Sequence, residues 1–265
     1  MWLIVNRLSL NIEKTNFVVF HPYNKPMKQK ITLKIHKTAI TEKSHVKYLG
    51  IVIDSTLTWK THIENISTKI SKAIGLLYKI RYFVSIKIMR MLYYSLIYSH
   101  LIYAIEVWGS ADITYLNRIL ILQKRIVRLI TFTDKRLIDF SLTPSEPLFF
   151  KLNIHKINDI FKLMISKFVF NCLNKTKPVN FNSWYKLTSQ VHHHNTRNKF
   201  IDIDNTVVTR TLFIPFARTA HYALKSLKVQ GPKIWNSLPP PLRNADSVNN
   251  FIKKLNKYLI NLYNY

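Results

Sequence analysis

The sequence is poor in cysteine, glycine and uninterrupted apolar runs, and each shortage excludes a class of protein. Its 265 residues include one cysteine, which excludes an internal disulfide and fits a reducing compartment. The 4 glycines form no phosphate-binding loop. The longest apolar stretch, 91–107, is interrupted by His100 and Glu106, so it predicts a core helix and no membrane span. We therefore expect an intracellular protein, nuclear or cytoplasmic, without a membrane partner.

Acidic residues are also scarce, and the resulting positive charge is the strongest compositional signal. Lysine and arginine total 40 and acids 13, which gives a net charge of +27. A surplus of this size favours a polyanionic partner such as nucleic acid. A/T-rich codons produce the same bias without any such partner. Because the charge is spread along the chain, a binding face has to be assembled by folding.

The hydrophobic pattern predicts a mainly α fold with a small N-terminal β element, an α+β arrangement. Alternating apolar residues around Leu33 and an apolar run at 46–53 each predict a strand. Thr58 is the predicted N-cap of the first long helix. The core face of that helix carries Ile63, Ile66, Ile70, Ile74 and Leu77.

Further helices are predicted along the rest of the chain. Ser85 caps one that runs to about residue 107, and its apolar character on most sides predicts the central, buried helix. Asp112 caps the next. Its predicted core face carries Ile119, Leu122, Ile126 and Leu129. A later helix is predicted at about 157–172, with a buried thiol at Cys172. Another is predicted at 217–227 and is stopped by Gly231-Pro232, and a last one follows Ser247.

Two groups of short motifs carry a more specific signal. The first is Val46-Lys47-Tyr48-Leu49-Gly50-Ile51, followed by Asp54, Leu57-Thr58-Trp59-Lys60 and His62-Ile63. The second is Ile234-Trp235-Asn236-Ser237-Leu238-Pro239, where Trp235 and Leu238 are expected to anchor the tail to the core. In this order and separation, they resemble the C-terminal part of non-LTR (LINE-type, jockey-like) retrotransposon reverse transcriptases. Shorter phrases such as Leu122-Gln123-Lys124-Arg125 and His192-His193-His194-Asn195-Thr196-Arg197 strengthen the resemblance.

The resemblance implies three segments and an activity. Residues 1–57 correspond to a palm remnant with a primer-grip-like turn, 58–136 to a helical thumb, and 137–265 to a helical C-terminal extension. The family implies RNA-directed DNA polymerase activity with magnesium, on a template–primer duplex of RNA and DNA. Its paired metal-binding aspartates precede the segment that opens this chain. We therefore expect a chain that binds no cofactor, is inactive alone and has the missing catalytic half as a partner.

Two alternatives from other classes remain open. The chain could be a non-catalytic nucleic-acid-binding module that stands alone, or a transposon remnant without function. A split polymerase should regain activity when the missing half is supplied in trans, whereas a stand-alone module should hold a primer–template duplex unaided. Neither alternative requires a metal in this chain. Three adjacent histidines rarely converge on one ion, and Asp202-x-Asp204 is a weak signal, so we expect no metal site.

The resemblance also assigns candidate site residues. Lys14 matches a palm lysine near the incoming triphosphate, although it could equally be a surface lysine at a helix end. Lys47, Tyr48 and Gly50 match the primer grip. The expected contacts to the duplex backbone are Lys69 and Lys72 on one helix, Arg118, Lys124, Arg125 and Arg128 on another, and Arg197 and Lys199 in a loop. The alternative for each stripe is the solvated face of a helix.

Overall fold

The computed structural model describes residues 5–25, 31–35, 37–131, 144–191, 210–219 and 222–264. Contacts divide the chain into two compact units, 1–65 and 66–265. Helices dominate the described residues and the strands are short, so the predicted mainly α fold with a small β element is confirmed. The predicted three-segment division stays a prediction, and its boundary after residue 136 lies outside the described ranges. No described helix is long and apolar enough to cross a membrane.

The first unit contains three small two-stranded sheets. The strands are β1 (Asn16–Phe17), β2 (Lys34–Ile35), β3 (Thr38–Ala39), β4 (Thr41–Glu42), β5 (His45–Tyr48) and β6 (Ile51–Asp54). β1 pairs with β4 in parallel, β2 with β3 and β5 with β6 in antiparallel orientation. The predicted strand around Leu33 is only two residues long, and Leu33 itself is 44% exposed. Its alternating pattern therefore does not mark a buried sheet face.

The apolar run at 46–53 forms a β-hairpin, so the prediction of one continuous strand is wrong. Tyr48 pairs with Ile51, which leaves Leu49 and Gly50 as a two-residue loop. Both loop residues have positive φ, 45° at Leu49 and 82° at Gly50, as a type I′ turn requires. Glycine adopts this conformation without strain, whereas leucine does not. A Leu-Gly pair can form this turn because Gly50 takes one of the two positive-φ positions without strain.

Helix α1 (Lys60–Ile80) follows a turn that Asp54 holds by hydrogen bonds. Asp54 Oδ1 accepts the N–H of Trp59, and Oδ2 accepts both the N–H and the hydroxyl of Thr58, all at 2.8 Å. Partial burial raises the pKa of Asp54, but these hydrogen bonds, with another from Thr56, lower it by more, so the pKa of Asp54 lies below its usual value. Thr58, the predicted cap, donates its hydroxyl to Asp54, and the same oxygen accepts the N–H of Lys60, the first residue of α1, at 3.4 Å. The predicted core face of α1 is confirmed, since its five residues are buried.

The next helical section is interrupted twice. It comprises α2 (Ile86–Tyr93), a π-helical turn (Tyr94–Tyr98), α3 (Ser99–Ile102) and α4 (Ile105–Trp108). Ser85 caps α2 as predicted, by accepting the N–H of Ile88 at 3.4 Å. Ala104 adopts a left-handed conformation with φ 49° and separates α3 from α4. The predicted continuous central helix is therefore wrong, and Met91 on α2 is 64% exposed.

The centre of the second unit is a later helix. The remaining helices are α5 (Ile113–Thr131), α6 (Glu146–Leu152), α7 (Ile157–Leu173), α8 (Val179–Asn182), α9 (Thr188–Val191), α10 (Leu227–Asn236), α11 (Pro240–Arg243) and α12 (Val248–Asn261). α7 packs against α3, α4, α5, α10 and α12. It can take this position because it is apolar on nearly every side. Cys172 near its end is buried, as predicted.

The C-terminal motif anchors the tail to this core. Trp235 is fully buried, and its Nε1 donates to the carbonyl of Arg210 at 2.6 Å. The predicted roles of Trp235 and Leu238 are confirmed, because both belong to one apolar cluster. The predicted helix stop at Gly231-Pro232 is wrong, since both residues lie inside α10. Gly231 packs so closely that a Cβ there would lie 2.6 Å from Tyr185 Oη, so this contact explains the glycine.

Candidate nucleic-acid interface

The hairpin of the first unit presents three predicted site residues. Lys47 and Tyr48 end β5, and Gly50 lies in the turn that follows. Tyr48 is 63% exposed and Leu49 is 71% exposed, so the tip shows apolar surface to solvent. A two-residue turn between paired strands holds that surface in a fixed position.

Lys14, the other predicted residue of this unit, lies in a turn and not at a helix end. Its backbone N–H donates to Asn11 Oδ1 at 3.0 Å, and the hydroxyl of Thr15 donates to the carbonyl of Asn11 at 2.7 Å. The side chain of Lys14 is exposed. The local hydrogen bonds fix the backbone of this turn and leave the ammonium group accessible to an anion.

The second unit carries the two basic stripes. Lys69 and Lys72 are exposed on α1, three residues apart and therefore on neighbouring positions of one face. Burial lowers the pKa of His100, and the positive charge of Lys69 lowers it further, so His100 lies within electrostatic range of this stripe. Neutral His100 therefore adds no charge to the α1 stripe at neutral pH.

The α5 stripe divides into residues with different surroundings. Arg118 is exposed, with its guanidinium carbon 5.9 Å from the Tyr115 ring centroid. Lys124 lies close enough to Glu146 for its charge to affect the pKa of that carboxylate. Burial raises the pKa of Glu146, but hydrogen bonds and the charges of Lys156 and Lys124 lower it by more. The charge of Lys124 thus favours the ionised form of this carboxylate.

Arg125 and Arg128 are brought together with α1. They line a cavity of about 290 Å³ with Leu129 of α5 and with Ile74 and Tyr78 of α1. The cavity is therefore lined by two arginines, two aliphatic residues and one tyrosine. Neither lysine of the α1 stripe is among these lining residues. The structure thus joins two of the six predicted helical cations in one concave site, which we call the α1–α5 groove.

Sequence reasoning missed the aromatic side of this groove. The guanidinium carbon of Arg81 lies 3.8 Å from the ring centroid of Tyr78 and 4.4 Å from that of Tyr82. Arg81 is 6% exposed, whereas Tyr78 is 52% and Tyr82 55% exposed. In the sequence, basic and aromatic residues lie close together from 78 to 83, a pattern that indicates this aromatic surface.

Three of the described carboxylates have partners within the protein. No group of three or more histidine, cysteine or acidic side chains within metal distance occurs in the described ranges. Asp54 accepts the N–H of Trp59, Asp112 pairs with Lys225 at 2.5 Å, and Asp159 pairs with Lys162 at 3.1 Å. The magnesium that the family resemblance implies does not fit these donors. Asp202, Asp204, the three histidines at 192–194, Arg197 and Lys199 lie outside the described residues.

Comparison with known proteins yields two curated relatives. The chain is 29% identical over 134 residues to the RNA-directed DNA polymerase from mobile element jockey of Drosophila funebris. It is 25% identical over 129 residues to the probable RNA-directed DNA polymerase from transposon X-element of Drosophila melanogaster. The matches cover 49% and 47% of this chain but only 14% of each relative.

Neither of two further comparisons finds a match. No family model matches the sequence. No solved structure matches it either. The two relatives are RNA-directed DNA polymerases, which agrees with the family that the sequence motifs resemble. Over about half of its length, the chain is similar to part of the RNA-directed DNA polymerases of non-LTR mobile elements, as its motifs predict.

Proposed function

We propose that this chain contributes template–primer binding to an RNA-directed DNA polymerase and supplies none of the metal-binding carboxylates. The observation that carries the proposal is the α1–α5 groove, in which Arg125 and Arg128 converge beside Tyr78. Guanidinium groups bind phosphate oxygens in a bidentate geometry, which makes arginine well suited to a nucleic-acid backbone. The similarity to two RNA-directed DNA polymerases supports a nucleic acid as the anion.

Charge supports the same partner. The chain carries a net +27, and each lysine or arginine that neutralises a phosphate releases a condensed counterion. Arg118 and Lys124 lie on the same helix as the groove arginines and extend the positive stripe along α5. Because an RNA–DNA hybrid presents its backbone along a shallow minor groove, a basic helix can follow it without reading sequence.

The hairpin of the first unit contributes a second contact in this proposal. Lys47 neutralises a phosphate, and Tyr48 packs on a sugar or base at the primer end. Gly50 lets the nucleic-acid backbone approach closely because it has no Cβ. The turn is rigid because its two residues join paired strands. Lys14, in its own hydrogen-bonded turn, is a further phosphate contact.

The catalytic metals belong to another part of the polymerase in this proposal. Asp54 and Asp159 already accept hydrogen bonds from the protein, so they are poor candidates for metal ligands. We therefore expect the chain alone to show no primer extension with magnesium or manganese. The partner that completes the activity is the catalytic half of the polymerase, supplied in trans.

Equilibrium binding to an RNA–DNA hybrid with a recessed primer tests the proposal. The test variant, called the α5 variant, replaces Arg118, Lys124, Arg125 and Arg128 by glutamine. At about 0.1 M salt, we expect its affinity to fall at least about tenfold, because up to four phosphate contacts are lost. Fluorescence anisotropy with a labelled primer measures the dissociation constant of the full chain.

A matched control separates local contacts from overall charge. The control variant replaces the exposed residues Arg218, Lys253, Lys254 and Lys257 by glutamine, so it loses the same four charges. We expect its affinity to stay within about threefold of the original chain, because long-range charge is screened within about 10 Å at this salt. Equal losses in both variants would contradict a binding face on α5. Absence of binding by the original chain would contradict the proposed function.

A further inference from the structure

The α1–α5 groove has more apolar and aromatic character than phosphate contact alone requires. Its floor is formed by Ile74 and Leu129, and one wall by the ring of Tyr78. Contact with duplex phosphates needs exposed cations, and aliphatic residues add nothing to that contact. The groove of about 290 Å³ lies near the lower end of small-ligand pockets, which span about 300–1,000 Å³.

A contact with Arg81 restrains the ring of Tyr78. Arg81 places its guanidinium 3.8 Å from the centre of that ring and 4.4 Å from the centre of the Tyr82 ring. Because Arg81 is almost completely buried and the two tyrosines are half exposed, the cation lies on their protein side. A cation on one face polarises the ring and holds it in place. Tyr78 also lines the groove.

These features match the two requirements of single-stranded nucleic-acid recognition. Aromatic side chains provide surfaces on which unstacked bases pack, and nearby cations follow the phosphates. Bases inside a duplex are already stacked on their neighbours and cannot enter a pocket without unpairing. A groove with one fixed ring, an aliphatic floor and two guanidinium groups therefore suits one unpaired nucleotide better than a duplex segment.

We propose that the α1–α5 groove binds an unpaired nucleotide, with its base against Tyr78 and its phosphate between Arg125 and Arg128. This inference rests on the proposed function and narrows it, because it assigns the groove to single-stranded template or to a displaced strand end. Ile74 and Leu129 cover the edge of the base. The exposed ring of Phe83, 85% exposed, offers a second stacking surface outside the groove.

Two 12-nucleotide single-stranded probes test this assignment with the full chain. One is ordinary DNA with a central 2-aminopurine, and the other has the same phosphates but abasic sugars throughout. We expect the base-containing probe to bind about five- to hundredfold more tightly, the range that stacking of a base on an aromatic side chain provides. Binding should also quench the 2-aminopurine fluorescence.

Tyr78→Leu should remove both the preference and the quenching, while it leaves the abasic probe unaffected. The matched control is Tyr103→Leu, since both tyrosines are 52% exposed but Tyr103 does not line the groove. Circular dichroism and thermal unfolding verify that both variants fold. Tyr78→Phe keeps the aromatic face and should retain the preference, which distinguishes stacking from a hydrogen bond of the hydroxyl.

The outcomes separate this inference from the proposed function. Equal affinity for the two single-stranded probes, or equal effects of Tyr78→Leu and Tyr103→Leu, would overturn the nucleotide pocket even if the hybrid duplex binds well. Failure to bind any nucleic acid would overturn the proposed function as well. Binding of an acidic peptide in competition with the probe, with no base preference, would assign the groove to a protein partner and overturn the inference.

Discussion

Gln123 joins three helices, and its replacement by leucine gives a sharp test of the second unit. The residue is completely buried on α5. Its Nε2 donates to the hydroxyl of Tyr93 at 3.2 Å and to the carbonyl of His155 at 3.0 Å, and its Oε1 accepts the N–H of Ile157 at 2.7 Å. Ile157 is the first residue of α7, so one side chain holds the start of the central helix against α5.

The magnitude follows from the groups that Gln123→Leu leaves without a partner. The N–H of Ile157 and the carbonyl of His155 each lose a buried hydrogen bond, and an unsatisfied buried polar group costs about 1–3 kcal/mol. The apolar surface of the new leucine offsets part of this. We expect a net destabilisation of about 2–4 kcal/mol. That corresponds to a decrease of about 4–16 °C in the midpoint of thermal unfolding.

Urea unfolding followed by tryptophan fluorescence measures this change, because Trp108 and Trp235 are fully buried in the second unit. Gln190→Leu is the matched control. Gln190 also accepts a backbone N–H, from Leu187 at 3.1 Å, but the bond is exposed and water can replace it. We expect the control to change stability by less than about 0.5 kcal/mol. Equal effects of the two substitutions would refute the role assigned to Gln123.

Two more predictions concern packing and pH. Gly109→Ala places a Cβ 2.3 Å from Phe161 and 2.6 Å from a backbone oxygen, so we expect about 1–3 kcal/mol of destabilisation by urea unfolding. Gly75→Ala, with nothing within 4 Å of its Cβ, should stabilise by about 0.5–1 kcal/mol, and a loss there would contradict the packing argument. Burial lowers the pKa of His155 by more than its hydrogen bond with Asn256 and the charge of Asp159 raise it, so the pKa is lower in the folded chain. As the pH decreases, the unfolded chain therefore binds a proton at this histidine before the folded chain does. Stability should therefore fall as pH decreases below about 6.5 until the folded pKa is passed, and His155→Gln should reduce that fall between pH 7 and 5.

Periodicity predicted the elements that bury one clear face. The core face of α1, the cap at Ser85 and the helix after Ser247 agree with the structure because they depend on local spacing and local hydrogen bonds. The continuous helix predicted to about residue 107 failed because apolar residues persist on both sides of the break at Ala104. Composition alone gave no sign of that left-handed residue.

Tertiary contacts decided the remaining differences. Gly231-Pro232 predicts a helix stop from local propensity, but packing against Tyr185 places the pair inside α10. Gln123 appeared only as one letter of a family-like phrase, and its role depends on residues more than 30 positions away.

The candidate site was predicted in part for the same reason. Charge and family resemblance pointed to Arg125 and Arg128 on α5, but sequence spacing could not place them opposite Tyr78 of α1. The contact of Arg81 with the Tyr78 and Tyr82 rings depends on residues close together in the sequence. Helical cations are common on solvated faces, so the pattern becomes informative only when an aromatic wall and an aliphatic floor accompany it.

The salt dependence of binding to the RNA–DNA hybrid tests the central claim most directly. The slope of the logarithm of the association constant against the logarithm of salt concentration counts neutralised phosphates, at about 0.9 per contact for a duplex. We predict a steep slope for the original chain, a slope smaller by about two to four for the α5 variant, and an unchanged slope for the control variant. A flat slope for the original chain, or the same slope in all three proteins, would contradict binding of a template–primer backbone by α5.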